Sequence, residues 1–170
     1  MAAAVKKIDS TTEENPLFKE SMIKAVCEGL KETLSTMAQV EITFDKPSIE
    51  FTWKTQGDVS GVIDFETTSF RGSVYIHFPS DVLIKMYNHM VGESQTELTA
   101  DVIDCIGEIS NMAYGVAKGK LDPLQLQFTM SLPKTSKTKE LNRLTTVPHL
   151  LVPFKVYEKK CMMEITLGAK

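Results

Sequence analysis

The stretch Leu98–Lys120, LTADVIDCIGEISNMAYGVAKGK, is a strong helical signal set between two runs of strands. At about 100° per residue, Leu98, Val102, Ile106, Ile109, Ala113 and Val116 fall in one narrow arc, which reads as a core stripe. Thr99 or Thr96 is placed to cap the first turn, Asp101 sits in that turn where the helix dipole favours an acid, and Gly119 stands where a helix closes. The spacing predicts a helix from about Ala100 to Lys118. Asp104, Glu108, Asn111 and Gly115 gather roughly opposite the stripe, facing solvent.

Working outward, the elements on either side settle the fold class. Upstream, Pro79-Ser80-Asp81 opens a shorter helix carrying Val82, Leu83, Met86 and Met90, and Gly92 ends it. Before that, Val59–Thr67 and Gly72–Phe78 read as two strands of a hairpin, and Ile49, Phe51 and Trp53 alternate with polar neighbours as a half-buried strand. Asn15-Pro16 opens a helix over 16–38, with Phe18, Met22, Val26, Leu30, Leu34 and Met37 on one face. Residues 1–14 are polar and aperiodic, a flexible arm ahead of a single domain at 15–170. Downstream, Leu124, Leu126, Phe128 and Met130 alternate as a strand, and Pro133–Thr146 is a Lys- and Thr-rich loop. Val147–Tyr157 and Cys161–Leu167 form a hairpin around Glu158-Lys159-Lys160. Strands arriving in runs, not singly between helices, predict an α+β fold: a mostly antiparallel sheet of about six strands, two long helices and one shorter.

Bulk properties narrow the function classes. The 170 residues have 42% hydrophobic and 24% charged content and a formal net charge of -3, which disfavours a free nucleic-acid binder. No apolar run approaches the ~20 residues of a membrane span, and the N-terminus lacks the apolar core of a secretory signal, so a cytoplasmic location is expected. Cys27, Cys105 and Cys161 are isolated, and His77, His89 and His149 share no ligand-like spacing, so neither a disulfide framework nor a metal site is expected.

The polar face of 98–120 stands out on energetic grounds. Gly107 and Gly115 lie inside the helix, where each costs about 0.5–1 kcal/mol relative to alanine. Asn111 is a mediocre helix former. Glu108 and Asn111, three apart, project as neighbours, and Gly115 lowers the relief one turn further on, so another molecule's backbone could come close. The competing reading is an ordinary solvated face, and it applies with most force to the charges of Asp104 and Lys118. Trp53, Phe51 and the methionines read as core or subunit contacts.

Glu108-Ile-Ser-Asn111-Met112, within Asp101–Met112, closely resembles the signature helix of the CheC/CheX/FliY family of chemotaxis phosphatases, with the nearest match to CheX. The resemblance extends in order through Asn15-Pro16, Gly57-Asp-Val-Ser-Gly61, Gly72–Phe78, Met90-Val-Gly-Glu93, Ser131-Leu-Pro133 and Val152-Pro-Phe154. CheC and FliY proteins usually carry two Glu/Asn helices; here Glu20 is followed three residues later by Ile23, so one such site is present, as in CheX.

The resemblance implies a hydrolase acting on the phospho-aspartate of a CheY-type response regulator. Asn111 would enter the regulator's pocket and align the attacking water, Glu108 would pair with a lysine there, and Asp104, Gly115 and Lys118 would touch the partner. No cofactor is expected in this chain; Mg2+ would sit in the regulator. A homodimer is also implied. Two other functions remain in play: an adaptor that merely sequesters a receiver domain, and a structural protein related to the flagellar switch.

Overall fold

The computed structural model describes residues 20–51, 57–67, 70–121, 129–137 and 148–169. Predicted features on other residues lie outside these: the arm at 1–14, the start of the first helix, Trp53, the apolar run Leu124–Phe128, and the basic loop beyond Lys137.

Helix α1 (Glu20–Ala38) buries Met22, Ala25, Val26, Leu30 and Leu34 along one face. It gives way at Gln39, which adopts a left-handed φ of 51°. Two short strands follow, β1 (Thr43–Phe44) and β2 (Ser48–Glu50). The expected half-buried strand here is corrected: Ile49 is 39% and Phe51 54% exposed, because β2 lies at the sheet margin, paired with one neighbouring strand. The hairpin of β3 (Val59–Glu66) and β4 (Phe70–Phe78) is as expected, paired from Val59↔Phe78 to Glu66↔Arg71.

Helix α2 (Ser80–Val91) ends on Gly92, whose φ of 72° is left-handed and whose N–H bonds the Asn88 carbonyl at 2.9 Å. Helix α3 (Ala100–Leu121) begins where the Val102 N–H meets Thr99 Oγ1 at 3.3 Å. It runs through Gly119 to Leu121, which is itself buried; packing of that last turn outweighs the glycine. Strands β5 (Thr129–Met130), β6 (Lys134–Lys137), β7 (His149–Val156) and β8 (Lys159–Ala169) complete the described chain.

Among the described residues the sheet has eight strands in the order β1-β7-β8-β4-β3-β5, with β2 added on β7 and β6 on β3, all antiparallel. Strand β6 was expected to be loop. Its sequence KTSK has no apolar alternation, and it becomes a strand through its backbone pairing with β3, Val59↔Lys137 to Val62↔Lys134. The β7–β8 turn is also tighter than expected: Tyr157 and Glu158 alone form it, with φ of 49° and 62°, and Lys159 and Lys160 already belong to β8.

One sheet face, with Val59, Ile63, Phe65, Ile76, Phe78 and Met163, forms a continuous core with the three helices. Alternate residues of β4 and β8, including Tyr75, His77 and Glu164, are buried on the other face, together with His149 and Leu151 of β7.

Candidate functional site

Helix α3 is fastened from behind along its length. Val102, Ile106, Ile109 and Ala113 are buried, as the helical period predicts, while Leu98 and Val116 at the two ends of the stripe are half-buried. Ser110, on the buried side, donates its hydroxyl to the Ile106 carbonyl at 2.8 Å, so a polar residue is accommodated without a free group. At the far end, Lys120 reaches Glu28 and Glu32 of α1, 3.4 Å from each.

The opposite face is open. Asp104, Glu108, Asn111 and Gly115 are all exposed. Lys118 is half-buried and flanks them. Glu108 and Asn111 project from positions one turn apart, about 5–6 Å between their β-carbons by helix geometry. Among the described residues neither side chain makes a hydrogen bond or ion pair. A carboxylate and a carboxamide are thus held side by side on a rigid support with their bonding capacity unspent.

Gly107 and Gly115 part company. A β-carbon on Gly115 would meet nothing within 4 Å, so this position is bare surface beside the pair. Gly107 is buried, and a β-carbon there would lie 3.3 Å from Thr135 Cγ2 and 4.0 Å from Pro133 Cβ. Its smallness serves packing against β6, a reason invisible while 134–137 reads as loop.

Beside Glu108 lies an open groove between α2 and α3, lined by Met37, Tyr87, Met90, Val91 and Cys105 with Asp101, Asp104 and Glu108 on its rim. The helical wheel of α3 alone does not reveal it, because its other wall comes from α1 and α2. At Cys105 burial, then the nearby Glu108 carboxylate, push the thiol up to about 11, which disfavours the thiolate form. Among the described residues no group of three or more His, Cys, Asp or Glu side chains is arranged to hold a metal ion. No described helix is long and apolar enough to cross a membrane.

A family model described as chemotaxis phosphatase CheX matches residues 59–155. Solved structures share the fold. A CheC-like superfamily protein from Shewanella sp. PV-4 superposes with a TM-score of 0.80 at 26% identity, over 89% of this chain and 99% of that one. The chemotaxis protein CheX from Vibrio vulnificus gives 0.78 at 29% identity, over 86% and 99%. The complex of CheX with CheY, BeF3 and Mg2+ from Borrelia burgdorferi gives 0.71 at 17% identity, over 88% and 97%, a likeness of fold. No curated protein matches the sequence.

Proposed function

The chain belongs to the chemotaxis phosphatase CheX family, and from that premise we propose that it accelerates hydrolysis of the phospho-aspartate of a CheY-type response regulator. The carrying observation is the exposed, unpartnered Glu108–Asn111 pair on a helix whose back is locked into the core. The Borrelia burgdorferi neighbour, a CheX in complex with CheY, supports the choice of partner.

The chemistry asked of this chain is small. Hydrolysis of an acyl phosphate depends mainly on positioning and on charge stabilisation, and the regulator holds the Mg2+ and the cationic groups that stabilise the transferring phosphoryl group. Asn111 supplies alignment: its amide N–H and carbonyl together fix a water in line with phosphorus. It has no basicity to offer and needs none. Glu108, one turn earlier, pairs with a lysine of the regulator's pocket and so orients the docked complex. Bare Gly115 lets the partner's backbone approach. The protein acts in the cytoplasm, where such regulators reside, and as a homodimer.

The test is phosphate release from phosphorylated receiver proteins with sub-stoichiometric amounts of this protein. Wild type turns over many equivalents. Asn111→Ala removes the acceleration while binding of the regulator changes little. Hydrolysis by that variant at the wild-type rate rejects the role of Asn111, and release limited to one equivalent favours a sequestering adaptor.

A further inference from the structure

We propose that the groove between α2 and α3 is the second half of the docking surface, and that it receives a segment of the receiver protein in which a lysine or arginine flanks an apolar side chain. This rests on the reading of Glu108 and Asn111 above and extends it to residues no helix motif contains.

The groove is apolar in its floor and acidic at its rim. Met90 and Met37 are half-buried in it, and Val91 is 49% exposed. Next to Asn111, Met112 is 40% exposed, so large apolar side chains stand on solvent beside the polar pair. Such side chains bury favourably against a partner, and methionine adapts its shape to what it meets.

None of the lining residues is a lysine, an arginine or a histidine. Asp101, Asp104 and Glu108 stand at i, i+3 and i+7 along one edge, and among the described residues none has an ion-pair partner. The helix dipole accounts for Asp101, which is in the first turn, but its influence fades before Asp104 and Glu108. Like charges four apart disfavour a helix by about 0.2–0.5 kcal/mol. A helix selected for its own stability would not carry them; a cation brought by a partner resolves them. The rim is continuous with the catalytic face, because Glu108 belongs to both.

The groove is also preformed. Asn88 clamps the α2–α3 connection with two bonds, from its Nδ2 to the Gln95 carbonyl and from the Gln95 N–H to its Oδ1, each 2.8 Å. Docking therefore orders little of this wall, which favours affinity.

The experiment uses the full chain and a receiver domain activated with beryllium fluoride and Mg2+. Val91→Lys and the double variant Asp101→Asn/Asp104→Asn alter exposed positions, and thermal melting checks that they fold. Kd is measured by titration at low and high salt, and KM and kcat by phosphate release. Each variant raises Kd and KM about tenfold with kcat nearly constant, and the Asn variant weakens the dependence of Kd on salt. Folded variants with wild-type Kd and KM overturn the groove proposal and leave the reading of Asn111 standing. A wild type that binds the receiver without turnover sinks the phosphatase reading, while a raised Kd in the variants still upholds the groove. A wild type that binds no activated receiver overturns both.

Discussion

Gly61 of β3 lies so close beneath α3 that a methyl group on it would fall 2.1 Å from Ser110 Oγ and 2.9 Å from the Ile106 carbonyl oxygen. Gly29 of α1 stands in the same relation to the neighbouring flank, where a methyl would come to 2.5 Å from the Ala113 carbonyl oxygen. Ser110 and Ala113 bracket Asn111 on the buried side, so two glycines set how deep α3 sits. Carbonyl oxygens in a helix cannot swing aside. Gly61→Ala and Gly29→Ala are each expected to destabilise the fold by about 1–3 kcal/mol, the range for overpacking. Lower urea midpoints with unchanged m-values would bear this out; midpoints equal to wild type in both would show that α3 is free to shift.

Substitutions at Gly115 test stability and the proposed docking separately. Its position is exposed and empty, so Gly115→Ala should stabilise the protein by about 0.5–1 kcal/mol through helix propensity. Gly115→Arg should keep a melting temperature at or above wild type yet lower kcat/KM for the phosphorylated regulator, because a long side chain now occupies the approach to Asn111. A Gly115→Arg protein with full kcat/KM would show that no partner comes near this turn.

The β7–β8 hairpin holds two non-glycine residues, Tyr157 and Glu158, at positive φ. Side chains at such angles cost about 1 kcal/mol each, and glycine relieves this. Tyr157 has a compensating role, its ring lying 4.0 Å from Lys85 Nζ. Glu158 is exposed at the turn. Glu158→Gly should therefore raise the melting temperature, and Tyr157→Gly should raise it less or lower it. Equal gains from both would dismiss the Lys85 contact.

What was legible depended on how local the cause is. The outward placement of Glu108 and Asn111 follows from helical period alone, and the long hairpin of β3 and β4 follows from apolar runs bounded by turn residues. Strand β6 was not legible, because KTSK owes its conformation to β3, more than seventy residues earlier in the chain. Gly107 was misread for the same reason: its neighbour is Thr135 of that hidden strand. The α2–α3 groove depends on how three helices pack, which no single wheel contains. The roles of His77 and His149 were equally out of reach, since the carboxylate between them is distant in sequence from His77.

That carboxylate is Glu164, which is buried, with His77 Nε2 at 3.1 Å and His149 Nδ1 at 2.5 Å from its two oxygens. His77 is held in turn by Ser60, whose hydroxyl lies 2.6 Å from Nδ1, and it stacks on Tyr75. Burial works to raise the Glu164 pKa, but the hydrogen bond and charge of His77, then those of His149, overcome it, and the group sits below its ordinary value of 4.5. A carboxyl whose folded value is depressed contributes stability that is present above its unfolded value and lost as pH falls through the folded one. Unfolding free energy should thus hold near neutrality and decline with acid below about 4.5, protonation of Glu164 breaking the link between β4, β7 and β8. Glu164→Gln should cost about 1–3 kcal/mol at pH 7, because it disturbs a buried group hydrogen-bonded to both His77 and His149, and should flatten that acid slope. Urea denaturation of both proteins between pH 3 and pH 7 measures the two effects together. Parallel pH profiles for wild type and Glu164→Gln would mean that acid stability is governed by other carboxylates.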